Sequence, residues 1–308
     1  MAQPSVGKAL LTLCNGGISR RNAQRLGYPK HRATATRESP HGGHLTYGYG
    51  RGGHLAFIAM TVPSIEMNSD VGESFGLLSF GHDQALLEVV DAANIACGFH
   101  AGDPHVMADT VRAATNAGVL MGAHPGLPDL PGFGRRAMTL TADEVHAIVV
   151  YQVGALKGFT DDIGARLSHL KPHGALYGML ARDETLMTPV AEYAARQGLR
   201  IFGLAGTAHQ RAADAAGAEF VGELYVDLNY RADGSLIIVR QPQWADPQAA
   251  AARVRSALTT GSIAADDGSQ ILVDFASICI HSDVPNCIDV AQAVSAVLAD
   301  HHSSTPVS

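Results

Sequence analysis

Ala93-Asn94-Ile95-Ala96-Cys97-Gly98-Phe99-His100-Ala101-Gly102-Asp103-Pro104 and, after a helical segment, Val119-Leu120-Met121-Gly122-Ala123-His124-Pro125-Gly126 decide the fold. Each is a short apolar run that ends in a histidine, with turn residues directly after it. Runs this short, bounded by Gly and Pro, predict interior strands rather than buried helices. Between them, Asp103 suits a helix cap and Pro104 the first helical turn. Met107, Val111, Ala114 and Gly118 then keep one small, apolar face. Strand, helix, strand is a βαβ unit, and its right-handed crossover makes the strands parallel. Parallel neighbours end at one rim, where α/β folds place their chemistry, so His100 and His124 are expected close together there.

The same grammar extends in both directions. A strand over Ile65–Ser69 ends at Asp70-Val71-Gly72-Glu73, and a helix is expected over 83–91. The loop from Pro128 to Arg136 precedes a capping box, Thr141 with Glu144, for a helix running through Ala155. Further strands are read at Leu167–Lys171, Ile201–Leu204, Phe220–Val226 and Ser277–Ile280, with Leu236–Val239 as an extra strand in a hairpin. Helices are expected over 184–196, 210–216, 247–258 and 290–298. This alternation implies α/β with a parallel sheet. Six of the seven main strands carry an ionisable residue at or just past their C-terminal end: Asp70, His100, His124, Lys171, Asp227 and His281. An open sheet would string these along a line, whereas a closed barrel gathers them into one ring. The expectation is a seven-stranded parallel (β/α) barrel, TIM-barrel-like, slightly irregular or open for want of an eighth strand.

Composition narrows the class. Of 308 residues, 46% are hydrophobic, enough for a sizeable core, and only 17% are charged. A net charge of -7 argues against nucleic acid as a partner. No apolar run approaches a membrane span. Cys14, Cys97, Cys279 and Cys287 form no C-x-x-C pair. Cys97 and Cys279 fall inside strands, as small buried groups do, so a reducing, cytoplasmic setting is expected. Residues 1–59 hold eight Lys or Arg against one acid, Glu38, and lack apolar periodicity. They are expected to be a disordered extension to a single barrel domain over 60–308, with Met60 as an alternative start. Gly48-x-Gly50-x-x-Gly53 matches a dinucleotide fingerprint by letter only, since no strand precedes it and no helix follows.

The rim residues have bland readings too. A lone strand-end histidine is commonly structural, but two on adjacent strands beside Asp70 favour function. Asp103 fits a cap better than a catalyst. A Lys171 directed into a barrel mouth has few structural reasons to be there. Arg135 and Arg136 suit a solvated loop pair or an anion clamp equally. His100 and His124 with one or two carboxylates are enough ligands for a divalent metal with an open position.

Five motifs occur in order: Asn68-Ser69-Asp70-Val71-Gly72-Glu73-Ser74-Phe75-Gly76, the Ala93–Pro104 stretch, Gly122-Ala123-His124-Pro125-Gly126, Gly132-Phe133-Gly134-Arg135-Arg136, and Lys171-Pro172-His173-Gly174-Ala175-Leu176-Tyr177. Together they resemble the LamB/YcsF family over residues 65 to 300. The resemblance implies a barrel similar to the glycoside hydrolase/deacetylase superfold. It also implies ATP-dependent hydrolytic opening of 5-oxo-L-proline (pyroglutamate) to L-glutamate, by an A subunit working with B and C subunits. In that chemistry Asp70 or Glu73 activates water, Lys171 holds a phosphate or the substrate carboxylate, and His100, His124 or His173 protonates nitrogen. Arg135, Arg136, Asp227 and His281 are then the substrate-binding candidates. The sequence departs from the family at Leu228, after Asp227, and at Ser282 in His281-Ser282-Asp283. No Walker A or kinase Gly-rich sequence is present, so the ATP site is either of unfamiliar form or on a partner. Two alternatives stand beside this reading: a stand-alone metal-dependent deacetylase or amidohydrolase acting in carbohydrate or amide metabolism, and a non-catalytic lactam-binding subunit.

Overall fold

Seven parallel strands close on one another in the computed structural model. They are β1 (Glu66–Val71), β2 (Ala92–Ala96), β3 (Leu120–His124), β4 (Leu167–Leu170), β5 (Arg200–Gly203), β6 (Phe220–Tyr225) and β7 (Ser277–His281). The order around the barrel is sequential, and β7 pairs with both β6 and β1. Seven strands therefore suffice for closure, and the expected opening is absent among the described residues. These are residues 65–239 and 241–304, together with the backbone of three earlier strands. Those strands, Thr34–Glu38, His44–Tyr49 and Leu55–Phe57, pair antiparallel in that order. The expectation of disorder over 1–59 otherwise lies outside the described residues.

Helices follow the strands as α1 (Asp83–Leu87), α2 (Pro104–Ala117), α3 (Ala142–Asp162), α4 (Gly174–Arg182), α5 (Glu184–Gln197), α6 (Ala208–Ala216), α7 (Pro247–Thr260) and α8 (Cys287–Ser304). Local chemistry starts them where expected. Asp103 accepts from the backbone of His105 and Val106 at the head of α2, Thr141 and Glu144 form the capping box of α3, and Asp246 caps α7. Each such cap is worth about 1 kcal/mol. The first helix is shorter than expected, and α4 and the antiparallel pair Ser262–Ala264 with Gln270–Leu272 are additions. The hairpin at Leu236 forms with Asn229–Tyr230. No helix of the described residues is long and apolar enough to cross a membrane.

The barrel is apolar outside and polar inside. Strand side chains alternate between faces. Met67, Val71, Ile95, Met121, Leu170, Ile201, Leu224, Ile278 and Ile280 are buried in the main apolar cluster, where strands meet helices. The alternate residues, Asn68, Asp70, Asn94, His169, Glu223 and Ser277, are also buried and bond to one another across the interior, and Cys279 beside them accepts from Lys171. Ala92, Phe202 and Val221 form a separate small apolar cluster, and Phe202 stacks under the His169 ring. Gly122 gives room for that imidazole, since a Cβ there would lie 2.1 Å from it. Polar groups survive at this depth because each finds a partner; unpaired, each would cost about 1 to 3 kcal/mol.

Candidate active site

The deepest layer is organised by Lys171, just past β4 and almost wholly buried. Its ammonium donates to Asp70 Oδ1 at 2.9 Å, Asn68 Oδ1 at 3.2 Å and Cys279 Sγ at 2.9 Å, and lies 3.2 Å from Glu223 Oε1. Burial alone would push the lysine pKa down, but Asp70, Cys279 and Glu223 outweigh it and hold the group well above its usual value. Burial likewise works against ionisation of Asp70, yet the charges of His124 and Lys171 hold that carboxyl well below the normal range. Asn94 Nδ2 also donates to Asp70 Oδ1, at 2.7 Å. The other oxygen, Oδ2, faces His124 Nε2 at 3.3 Å and His281 Nε2 at 3.7 Å.

Beside this layer, Glu73 and three histidines converge. Glu73 Oε1 lies 3.1 Å from His100 Nε2, 3.2 Å from His173 Nδ1 and 3.9 Å from His124 Nε2. The turn Val71-Gly72 brings Glu73 in, with Gly72 at φ +72°. His100 sits four residues past the end of β2, and its ring stacks on that of His173 at 3.7 Å. Burial, reinforced by the neighbouring His173, lowers its pKa to about 3, so its Nε2–H donates to Glu73 and its buried Nδ1 has no partner. His173 is also lowered by burial.

At the mouth stands His281, the last residue of β7. Asp227 accepts from its backbone N–H at 2.7 Å and from its Nδ1 at 2.8 Å. Burial opposes protonation, but Asp227 overcomes it and raises the imidazole pKa to about 9. His281 is thus a cation at neutral pH, with Nε2 directed toward Asp70. Across the mouth Arg135 pairs with Asp283 at 2.6 Å and lies over the Phe133 ring. His281, Asp227, Arg135 and Asp283 line a cavity of about 320 Å³ whose wall also includes Tyr177, Ile237 and Trp244. That volume is at the lower end of the range for small-molecule sites.

The structure therefore gathers Asp70, His124, Lys171, His173, Arg135, Asp227 and His281 around one cavity, with Glu73 and His100 directly behind. Arg136 is not brought in. It forks onto Asp129, with Nε at 2.8 Å from Oδ2, and its side chain is 52% exposed. The expectation that it clamps substrate is corrected accordingly: Asp129 holds it against its own loop. Asp227 is also recast, because both of its oxygens are engaged by His281 and it orients that ring. Sequence reasoning missed Glu223, Asn68, Asn94, Tyr225 and Asp283. Glu223 had one available signal, as an acid two residues before the strand-end Tyr225 on the same face.

Comparison with known proteins agrees with this architecture. The profile of the LamB/YcsF family matches residues 65–307. The chain is 45% identical over 241 residues to the A subunit of the 5-oxoprolinase of Bordetella pertussis, covering 77% of this chain and 95% of that protein. It is 45% identical over 236 residues to the lactam utilization protein lamB of Emericella nidulans, covering 75% and 93%. The solved lactam utilization protein of Thermus thermophilus superposes with a TM-score of 0.71 at 40% identity, covering 78% of this chain and 97% of that one. The chain belongs to the LamB/YcsF family.

Proposed function

We propose that this chain hydrolyses the ring amide of 5-oxo-L-proline to give L-glutamate, as the A subunit of an ATP-coupled 5-oxoprolinase with B and C subunits. The observation that carries the reading is His281 Nε2 facing Asp70 Oδ2 at 3.7 Å across one cavity, with Asp227 raising the imidazole pKa and Lys171 and His124 lowering that of Asp70. A five-membered lactam is a weak electrophile and its nitrogen a poor leaving group. Hydrolysis needs an acceptor for the proton of water and a donor for nitrogen. Asp70 Oδ2 holds the water. As its oxygen bonds to the lactam carbonyl carbon, the water becomes strongly acidic, so a carboxylate of low basicity is enough to take the proton. His281 Nε2 gives its proton to the ring nitrogen as the C–N bond breaks. The proton on Asp70 then returns to His281 across the short gap between them. Arg135 receives the substrate carboxylate as a charge-assisted partner. ATP activates the lactam by passing its γ-phosphoryl group to the ring oxygen, releasing ADP, at a site carried by, or shared with, the other subunits. Ring opening then leaves an acyl phosphate, which a second water hydrolyses to glutamate and inorganic phosphate. The barrel, residues 60–308, is the catalytic domain.

A second reading is favoured by the convergence of Glu73, His124 and His173: metal-dependent amide hydrolysis without ATP. One experiment separates the two. The chain is mixed with B and C subunits and 5-oxoproline, with and without ATP, and glutamate is measured. The first reading expects ATP-dependent glutamate, reduced by about 10² to 10⁴ in Asp70→Asn with its circular dichroism unchanged. Glutamate formed equally without ATP supports the second reading, and an Asp70→Asn rate within threefold of the parent removes Asp70 from the chemistry.

A further inference from the structure

We infer that Glu73, His124 and His173 form a binding site for one divalent transition-metal ion, with His100 positioning Glu73 from behind rather than acting as a ligand. The argument rests on which ring nitrogens carry protons. His124 Nδ1 lies 2.8 Å from the carbonyl oxygen of Lys171, which can only accept, so Nδ1 bears a hydrogen and Nε2 is the nitrogen that can face a metal ion. His173 Nε2 lies 2.8 Å from the carbonyl oxygen of Phe133, which likewise leaves Nδ1 as the nitrogen that can face one. Those two nitrogens are 3.0 Å apart. Glu73 Oε1 sits 3.2 Å from one and 3.9 Å from the other, and Asp70 Oδ2 is 3.3 Å from His124 Nε2. Four polar atoms that can each offer a lone pair thus face one another at hydrogen-bonding or slightly longer distances. Either a shared proton or a metal ion at the centre relieves their repulsion, and the fixed orientation of both rings favours the ion.

The surroundings are built for a ligand set. Metal-binding imidazoles usually donate their second N–H to a carbonyl or carboxylate, which fixes ring and tautomer. Both rings do so here. The carbonyl that holds His173 belongs to Phe133, the only described non-glycine residue with positive φ, at +54°. A backbone conformation that disfavours a phenylalanine persists where surrounding structure enforces it. Gly134 follows at φ +62°, and a Cβ there would meet His173 at 2.9 Å. His100 does not present a lone pair to the centre: its Nε2–H donates to Glu73. Two imidazole nitrogens and one carboxylate oxygen select a borderline ion such as Zn²⁺ or Co²⁺ over Mg²⁺ or Ca²⁺. His124 and His173 also line the cavity, so one face of the site is open to a small molecule. Such an ion supplies Lewis acidity toward an oxygen in that cavity. The neighbouring group of Asp70, Cys279 and His281 has comparable spacing but is unsuited, because the Lys171 ammonium already stands against both Asp70 and Cys279.

The inference is independent of the ring-opening reading and is tested without turnover. The full chain, stripped with a chelator, is titrated with Co²⁺ and then Zn²⁺, following the visible Co²⁺ absorption and the bound metal by elemental analysis after dialysis. One ion per chain is expected, with Zn²⁺ displacing Co²⁺. His124→Gln, His173→Gln and Glu73→Gln should each alter the Co²⁺ spectrum and lower affinity beyond the roughly 10- to 100-fold typical of losing an outer partner. His100→Gln should keep the spectrum and lose affinity only within that span. Circular dichroism of each variant confirms folding, and Glu73→Gln preserves shape should a histidine variant fail to fold. Absence of stoichiometric binding, which leaves a shared proton at the centre, overturns the inference. So does binding indifferent to His173→Gln, and a ligand-type spectral change in His100→Gln overturns the role given to His100.

Discussion

Replacing Lys171 with Met is expected to be the most destabilising single change in the barrel interior. Its ammonium is enclosed by Asp70 Oδ1, Glu223 Oε1, Asn68 Oδ1 and Cys279 Sγ, all within 3.2 Å. Methionine fills the same space but leaves the buried Glu223 without a counter-charge and Asp70 with only His124 and His281 beside its other oxygen. Removing one partner of a buried pair typically costs about 3 to 5 kcal/mol. For a barrel of this size each kcal/mol moves the thermal midpoint by about 2 to 4 °C, so a fall of roughly 6 to 20 °C is expected. The pH dependence adds a check. The Lys171 contribution is complete below its unfolded pKa and is lost only as pH rises through a folded pKa that lies well above the usual lysine value. The Asp70 contribution is present above the unfolded carboxyl pKa and is lost as pH falls toward its depressed folded value. In Lys171→Met, burial without the ammonium favours the protonated Asp70 carboxyl more than in the parent. The gap between parent and variant should therefore be widest near neutral pH and narrow under acid. Adding Glu223→Gln to Lys171→Met should recover part of the loss, because one stranded charge is gone. Calorimetry across pH reads all of this. A Lys171→Met midpoint within about 2 °C of the parent at pH 7, less than one kcal/mol, would refute the electrostatic account of the interior.

Three further outcomes follow from the site. His281→Gln should lose most turnover, and in the parent the rate should fall as pH rises through about 9, where His281 gives up the proton that Asp227 helps it hold; Asp227→Asn should move that alkaline limb to lower pH, and an unmoved limb would assign it to another group. Arg135→Gln should raise the Michaelis constant for 5-oxoproline about tenfold or more, the worth of a charge-assisted hydrogen bond, while Arg136→Gln should leave it unchanged and alter stability by no more than about 1 kcal/mol. Gly122→Ala should destabilise by about 1 to 3 kcal/mol or more, since its methyl would overlap the His169 ring, and a neutral effect on urea unfolding would show that the ring can move aside.

Much of the fold was legible because strand ends announce themselves. Short apolar runs stopping at Asp70, His124, Lys171 and His281 placed four barrel strands within a residue or two and pointed to one rim. What stayed hidden lay mid-strand. Glu223 and Asn94 occur in Phe-Val-Gly-Glu-Leu-Tyr and Ala-Ala-Asn-Ile-Ala, where alternation suggests a polar residue turned to solvent. In a barrel clad with helices the outer face is the apolar one, so such residues turn inward, and only the closed topology reveals it. The Ser262 hairpin was overlooked although Asp267-Gly268 is a recognised turn dipeptide between alternating runs. Helix α4 was missed because Gly174-Ala175-Leu176-Tyr177 reads as the tail of a strand-end motif, while its helical face appears only once Leu176, Tyr177 and Leu180 are seen buried together. Arg136 was indistinguishable from Arg135 by sequence, since the partner that separates them, Asp129, lies seven residues away across a turn.

The polar interior also explains why the mouth is chemically asymmetric. Asp70 has two oxygens of equal intrinsic basicity. Lys171 and Asn94 both bond Oδ1, and Lys171 is itself held on its far side by Glu223. Glu223 is fixed in turn by Asn68 Nδ2 and the Tyr225 hydroxyl, and Tyr225 stacks on His281. The chain of contacts thus runs from His281, through the barrel floor, and back to Asp70. Its effect is to turn Oδ1 into a structural atom and leave Oδ2 as the one that meets His124, His281 and the cavity. A change at Glu223, which does not line the cavity, should therefore reach the chemistry by releasing Lys171 and letting Asp70 rotate. That predicts a fall in turnover for Glu223→Gln with an unchanged Michaelis constant. The reverse pattern would mean that the floor shapes the pocket and does not orient the carboxylate.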